Sequence, residues 1–156
     1  MGIGLVNNNF GVIDIINTRV LKNKDNGIVN YGNMTSYNVA VSENRHGLVI
    51  SSGILVLTKG SILNNRSNGL LIGGSSNVNI ENTTVKQNRG YGLELTDWCQ
   101  EDQSSYWLKS KSPSVKISSS NFIDNYKTTV LDKYRYNNIW KDWEGVEYTG
   151  DGWVEN

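Results

Sequence analysis

One short pattern, repeated five times, constrains the fold of this chain more than any other feature. An apolar residue is followed three places later by asparagine, and successive asparagines are 21, 21, 23 and 37 residues apart. The five pairs are Val20/Asn23, Val41/Asn44, Ile62/Asn65, Val85/Asn88 and Phe122/Asn125. A fixed period of about 20–25 residues is typical of solenoids. The pattern therefore predicts a stack of similar coils.

A second column runs beside the first. It is a glycine followed by an apolar residue, any residue and usually another apolar residue. Its members are Gly2-Ile3-Gly4-Leu5, Gly27-Ile28-Val29-Asn30, Gly47-Leu48-Val49-Ile50, Gly69-Leu70-Leu71-Ile72 and Gly92-Leu93-Glu94-Leu95. We expect glycine here to supply either a positive φ or a close approach between backbones.

Each repeat also carries alternating positions that predict a strand. Seven and five residues before each anchor lie Ile13/Ile15, Met34/Ser36, Leu55/Leu57, Val78/Ile80 and Val115/Ile117. This spacing has the period of two expected of a half-buried strand, and helical periodicity is absent. Three short strands per repeat predict a parallel β-solenoid, with coils about 4.8 Å apart. Asparagine at such a tight turn would tolerate left-handed geometry, and identical asparagines in register would also stack into a hydrogen-bonded ladder.

These columns resemble the right-handed parallel β-helix of the pectate-lyase-like superfamily over roughly residues 2–132. The resemblance implies an all-β, right-handed, single-stranded parallel β-helix of about five coils. Members include polysaccharide lyases, hydrolases and epimerases, phage tailspikes, and adhesion modules without catalysis. The resemblance thus implies an extracellular, cell-surface or virion protein but leaves the function open.

Two regions depart from the repeat. A loop at 96–114 interrupts the predicted β-helix of residues 1–132, and an aromatic, acidic tail occupies residues 133–156. All five tryptophans follow residue 95, and aromatic side chains bury large areas. We expect the tail to pack on the solenoid or on a partner. Because the first residues resemble the third strand of a coil, we also expect either a longer protein or a partner over that end.

Composition and charge argue against nucleic-acid binding, a membrane span and an internal disulfide. The formal net charge is zero, which disfavours nucleic-acid binding. No apolar run is long enough to span a membrane, and the first residues lack the pattern of a signal peptide. Cys99 is the only cysteine, so the chain cannot form an internal disulfide.

Three apolar residues are expected on the outer face of the glycine-led strands: Val29, Val49 and Leu71. An apolar stripe of this kind usually has a cover. The cover is either the chain's own loop or tail, or a subunit interface such as that of a homotrimer.

The residue after each of the first four ladder asparagines is basic: Lys24, Arg45, Arg66 and Arg89. At coil spacing these residues form a column of cations on one edge. Such a column would attract a carboxylated or sulfated glycan or an acidic partner. The alternative is a solvated edge that only protects the turn.

Carboxylates and aromatic residues meet in the inserted loop. Asp97, Glu101 and Asp102 lie near Trp98 and Trp107, a combination suited to glycosidic cleavage or sugar binding. Calcium could be held by the same three acids, but the spacing of a calcium loop is missing. We therefore predict no metal or cofactor.

Further candidates for ligand contact are Glu94, on the outer face of the last glycine-led strand, and Trp140 and Trp143 in the tail. The tryptophans would act as stacking platforms for sugar rings. The catalytic residues of the resembling enzymes have no counterpart here, because no matching Asp pair with a downstream His and Arg is found. The single histidine, His46, falls at a coil turn, where we expect it to face solvent.

Three functional hypotheses remain from the sequence. The leading one is a β-helix module of a larger surface or virion protein, presenting a rigid face for carbohydrate or protein binding. The second is a polysaccharide lyase, hydrolase or epimerase acting on an anionic glycan. The third is a purely structural segment.

Overall fold

The fold is built from short β-strands only. A computed structural model describes residues 2–96, 113–125 and 146–149, and this part of the chain contains 16 strands and no helix. All strand pairs in it are parallel. The predicted all-β parallel solenoid is therefore confirmed.

The strands form three sheets, and each coil contributes one strand to each sheet. The first sheet contains β1 (Leu5–Asn7), β4 (Ile28–Asn30), β7 (Leu48–Ile50), β10 (Leu70–Gly73) and β13 (Leu93–Thr96). The second contains β2 (Val12–Ile16), β5 (Asn33–Tyr37), β8 (Ile54–Thr58), β11 (Asn77–Glu81), β14 (Ser114–Ser118) and β16 (Val146–Thr149). The third contains β3 (Arg19–Leu21), β6 (Ala40–Ser42), β9 (Ser61–Leu63), β12 (Thr84–Lys86) and β15 (Asn121–Ile123).

The register places equivalent residues of successive coils side by side. In the first sheet Leu48 pairs with both Ile28 and Leu70. Leu5 also pairs with Ile28, so the first member of the glycine column is Gly4 rather than Gly2. The predicted alignment of the first coil was therefore wrong by two residues, because Gly2 and Gly4 both precede an apolar residue.

The core is a thin column between the three sheets. Alternate residues of the second sheet face inward, as in β11, where Val78 and Ile80 are fully buried and their neighbours are exposed. The five predicted anchors are all buried: Val20, Val41, Ile62, Val85 and Phe122. Each coil covers the inward-facing residues of the next coil. The narrow core therefore excludes water only when the coils are stacked on one another.

The asparagine ladder runs along the turn between the third and first sheets. Asn44 donates from Nδ2 to Asn65 Oδ1 at 3.2 Å, and its backbone N–H donates to the same oxygen at 3.0 Å. The other amide hydrogen is directed to the backbone carbonyl of Val20 at 3.1 Å. The same bonds recur from Asn65 to Asn88 and from Asn88 to Asn125. The predicted ladder is confirmed.

Left-handed backbone geometry occurs one residue before each ladder asparagine, not at the asparagine itself. Five residues take it, with φ between 52° and 59°: Lys22, Glu43, Asn64, Gln87 and Asp124. The αL turn directs the side chain of the following asparagine inward, where it bonds backbone groups of the preceding coil and the side-chain oxygen of the next ladder asparagine. The accompanying prediction, of αL geometry at the ladder asparagines, was wrong.

The glycine column reflects a close approach between coils. A Cβ on Gly47 would lie 2.4 Å from the carbonyl oxygen of Gly69 and 2.7 Å from Ile62 Cγ2. Gly27 and Gly69 meet the equivalent atoms of their next coils. Of the two predicted reasons for glycine, the close approach is the one observed.

Polar groups also enter the core near its first coils. Asn7 Nδ2 donates to Asn30 Oδ1 at 2.8 Å, and Asn30 donates to the backbone carbonyls of Gly32 and Ile54. Ser36 occupies a core position beside Leu57 of the next strand. Its hydroxyl is buried without a hydrogen-bond partner. Buried polar residues therefore occur inside the first coils as well as in the ladder.

Candidate functional site

A groove lies outside the asparagine ladder, on the same turn. It has a volume of about 390 Å³, and we call it the edge groove. Its lining residues are Lys22, Asn23, Lys24, Glu43, Asn64, Arg66 and Arg89. This volume falls within the range of small-molecule sites.

Two columns of exposed side chains form the walls of the edge groove. One column consists of αL residues that come immediately before a ladder asparagine in the sequence, among them Lys22, Glu43 and Asn64. The other column consists of basic residues that come immediately after a ladder asparagine. Because each ladder asparagine points inward, the residues on either side of it point outward. The buried ladder thus fixes the backbone that supports the groove.

Arg66 is held across the edge by backbone oxygens. Its Nη2 donates to the carbonyl of Asn23 at 2.9 Å and to that of Lys24 at 2.7 Å. Its Nε lies 3.5 Å from the carbonyl of Asn44. The guanidinium therefore lies beside a coil two turns away from its own. These bonds use Nε and Nη2 and leave Nη1 without a described partner.

Arg45 behaves differently from Arg66, although both follow a ladder asparagine. Its Nη1 lies 3.6 Å from Asp25 Oδ1, and Arg45 does not line the edge groove. The predicted column of four cations thus splits into a paired arginine and three residues that line the groove.

The charge of the edge groove is mainly positive. It is lined by four basic residues and one carboxylate, Glu43, which lies 3.8 Å from Lys22 Nζ. Within the described part of the chain, Lys24 and Arg89 form no ion pair. Uncompensated cations of this kind attract anions through local charge even though the net charge of the chain is zero.

His46 lies on the same edge, one residue before Gly47. It is half-buried, and its Nδ1 atom is buried without a hydrogen-bond partner, so the prediction that it faces solvent was wrong. Burial lowers the pKa of His46, and nearby Arg45 lowers it further, while Asp25 raises it. Burial and Arg45 therefore both favour the neutral imidazole.

Glu94 accepts a hydrogen bond from another side chain of the solenoid. Asn68 Nδ2 donates to Glu94 Oε2, and Asn68 Oδ1 accepts from the backbone N–H of Tyr91 at 2.9 Å. Burial, with a smaller contribution from Glu94, raises the pKa of Tyr91. The carboxylate of Glu94 is thus bound within the fold and stays half-buried.

The apolar stripe on the first sheet is stacked as the sequence predicts. Val49 pairs with Val29 on one side and with Leu71 on the other. Val29 keeps only 3% of its surface exposed, while Val49 and Leu71 are half-buried. A homotrimer through this stripe stays a prediction.

The remaining candidate residues lie outside the described part of the chain. They are Asp97, Trp98, Glu101, Asp102, Trp107, Trp140 and Trp143. Among the described residues, no group of three His, Cys, Asp or Glu side chains could hold a metal ion. The same residues include no helix that is long and apolar enough to cross a membrane.

Sequence reasoning missed three residues of the edge groove: Lys22, Glu43 and Asn64. They share one position, immediately before a ladder asparagine, so the repeat itself carried the signal. The αL geometry of that position is what directs their side chains to the groove.

Comparison with known proteins agrees with this architecture. The family model described as the right handed beta helix region matches residues 2–152, nearly the whole chain. No curated protein and no solved structure matches the chain. The family match and the parallel solenoid are consistent with the resemblance to the pectate-lyase-like superfamily. The chain therefore belongs to the right-handed β-helix family.

Proposed function

We propose that this chain is a rigid binding module, and that its edge groove binds an anionic group of a glycan. The observation that carries the proposal is the groove itself, where four basic residues meet one carboxylate. Positive side chains that surround a concave site raise the local concentration of anions.

The backbone under the groove supports this function. The ladder residue Asn44 is fully buried and bonds both neighbouring coils. Arg66 is fixed by backbone carbonyls rather than free in solvent. A ligand therefore meets an Arg66 side chain that is already in place, which lowers the entropy lost on binding.

The aromatic residues extend the proposal beyond the groove. We propose that Trp98, Trp107, Trp140 and Trp143 stack on sugar rings, because aromatic faces pair with the apolar faces of sugars. Substitution of both Trp98 and Trp107 by alanine should weaken glycan binding. Unchanged binding by this double variant would remove the aromatic part of the proposal and leave the groove.

The groove is tested by exchanging its cations. In the double variant Lys24→Gln/Arg89→Gln, the affinity for chondroitin sulfate, measured by isothermal titration calorimetry, should fall about tenfold or more. The matched control is Lys59→Gln/Lys116→Gln, which removes the same charge from the second sheet and the turn after it. If both double variants lose affinity equally, only net charge matters and the proposed site is wrong.

A further inference from the structure

The donors of the edge groove outnumber its acceptors. Arg66 Nη1, Lys24 and Arg89 have no hydrogen-bond partner among the described residues. The one carboxylate, Glu43, lies nearest to Lys22. A ligand in this groove must therefore supply several acceptor oxygens to several cations.

These donors also come from different coils. Lys24 and Arg89 belong to coils that are three turns apart, about 14 Å at the usual strand spacing. Arg66 lies on a coil between them and reaches the backbone carbonyl of Lys24 through Nη2. A planar carboxylate offers two oxygens in one plane, one fewer than the number of these cationic groups. A tetrahedral group offers three terminal oxygens that point in three directions.

From this geometry we infer that the edge groove recognises a sulfate or phosphate ester on a glycan, in preference to the carboxylate of a uronic acid. The inference rests on the proposed function and specifies the ligand chemistry of the same groove. Arg66 is the residue that determines this specificity, because its guanidinium is oriented by three backbone carbonyls before the ligand arrives.

The test compares two ligands that differ in one group. A chondroitin 4-sulfate hexasaccharide and its chemically desulfated form carry the same carboxylates. We expect the sulfated form to bind at least about tenfold more tightly, since the separate oxygens of a sulfate ester can accept from Arg66 Nη1, Lys24 and Arg89. Equal affinity for both forms would overturn the inference and keep the proposed function. Binding of neither form, with binding of an acidic peptide instead, would overturn both.

Variants of Arg66 test its role separately from charge. Arg66→Lys keeps the positive charge but loses the guanidinium that the backbone carbonyls hold in place, so the preference for the sulfated form should shrink while binding of the desulfated form changes little. The matched control is Arg45→Lys on the preceding coil, which should keep the preference. If Arg66→Lys does not fold, as judged by circular dichroism, Arg89→Lys replaces it, because that side chain has no described partner.

A phosphate ester is distinguished from a sulfate ester by pH. The second ionisation of a phosphate monoester occurs near pH 6, so its charge rises between about pH 5 and 7, whereas sulfate keeps its charge. Mannose 6-phosphate and mannose 6-sulfate provide the pair of probes. Stronger binding of the phosphate with rising pH, beside constant binding of the sulfate, is the expected result. If neither sugar binds more tightly than glucuronate, the inference is wrong.

Discussion

The inside and the outside of one turn follow different rules in this molecule. Inside, asparagine occurs in every coil, because each amide must bond the coil before it and the coil after it. Outside, the neighbouring positions vary among basic, acidic and neutral residues. The comparison teaches that the buried column determines the shape of the edge, while the exposed columns are free to specify a ligand.

The largest effect is expected inside the turn, at the centre of the ladder. Asn65→Ala would leave the backbone N–H of Asn44 and the carbonyl of Val41 without partners in a dry site. We expect a loss of about 3 kcal/mol or more in the free energy of unfolding, since each buried unpaired group costs about 1–3 kcal/mol. Urea denaturation measures it.

Asn23→Ala is the matched control at the less buried, first position of the ladder. Asn23 donates to Asn44 but receives no described bond from an earlier coil. Its substitution should cost clearly less than that of Asn65. Equal losses for both variants would contradict the view that the ladder acts through bonds on both sides.

A second prediction concerns the close approach of coils beside the ladder. In Gly47→Ala the new methyl group would meet the carbonyl of Gly69, an atom that cannot move without separating two coils. We expect destabilisation of about 1–3 kcal/mol, as for overpacked cores. Ser61→Ala, at a half-buried strand position, serves as control in the same denaturation experiment. A neutral Gly47→Ala would mean that the coils can slide apart at no cost.

The third prediction moves to the outside of the turn. Glu43→Gln removes the one carboxylate of the edge groove, so an anionic glycan should bind roughly two- to threefold more tightly, in keeping with the small energies of exposed ion pairs. The gain should disappear at high salt, because exposed charges are screened. Glu81→Gln on β11 is the control, and an equal gain there would assign the effect to net charge.

The fourth prediction uses the pH dependence of His46. Its pKa in the folded protein is below the ordinary value of 6.5, so the unfolded chain takes up the proton first as pH falls. Stability contributed by the neutral imidazole is present above that value and is lost as pH falls towards the folded pKa. His46→Asn, which matches Asn26 and Asn68 of neighbouring coils, should reduce the loss of stability between about pH 7 and 5. An unchanged pH profile would contradict this role.

The smallest effect is expected at Ser36, inside the core but away from the ladder. Because its hydroxyl is buried without a partner, Ser36→Ala should leave stability unchanged or raise it by up to about 1 kcal/mol. The contrast with Asn65 is direct, since both are buried polar residues and only one has its hydrogen bonds. A loss above about 1 kcal/mol would indicate an unseen partner such as a bound water.

Much of the fold could be predicted because the repeat encodes it locally. The anchors Val41 and Ile62 and the ladder residue Asn65 were all identified from spacing, and all three are buried as expected. The αL position was misplaced by one residue, because asparagine favours both turns and ladders and the sequence does not show which it adopts. The role of Glu43 as part of the edge groove was missed for the same reason.

The candidate site was less predictable than the fold. Arg45 and Arg66 occupy equivalent positions in the repeat, yet one pairs with Asp25 and the other crosses two coils to backbone carbonyls. A sequence column gives the spacing of Cα atoms, whereas long side chains choose among the partners within their reach. That choice depends on neighbours from other coils.

The sequence by itself determined the class of fold, the coil period, the anchors and the ladder. These features repeat because the same short-range geometry recurs in every coil. Only the tertiary structure decided which exposed side chains converge on the edge groove, how Arg66 is held, and that Nδ1 of His46 is buried. Each of these depends on contacts between coils about 20 to 43 residues apart, where the reach and burial of a side chain, rather than its place in the repeat, select its partner.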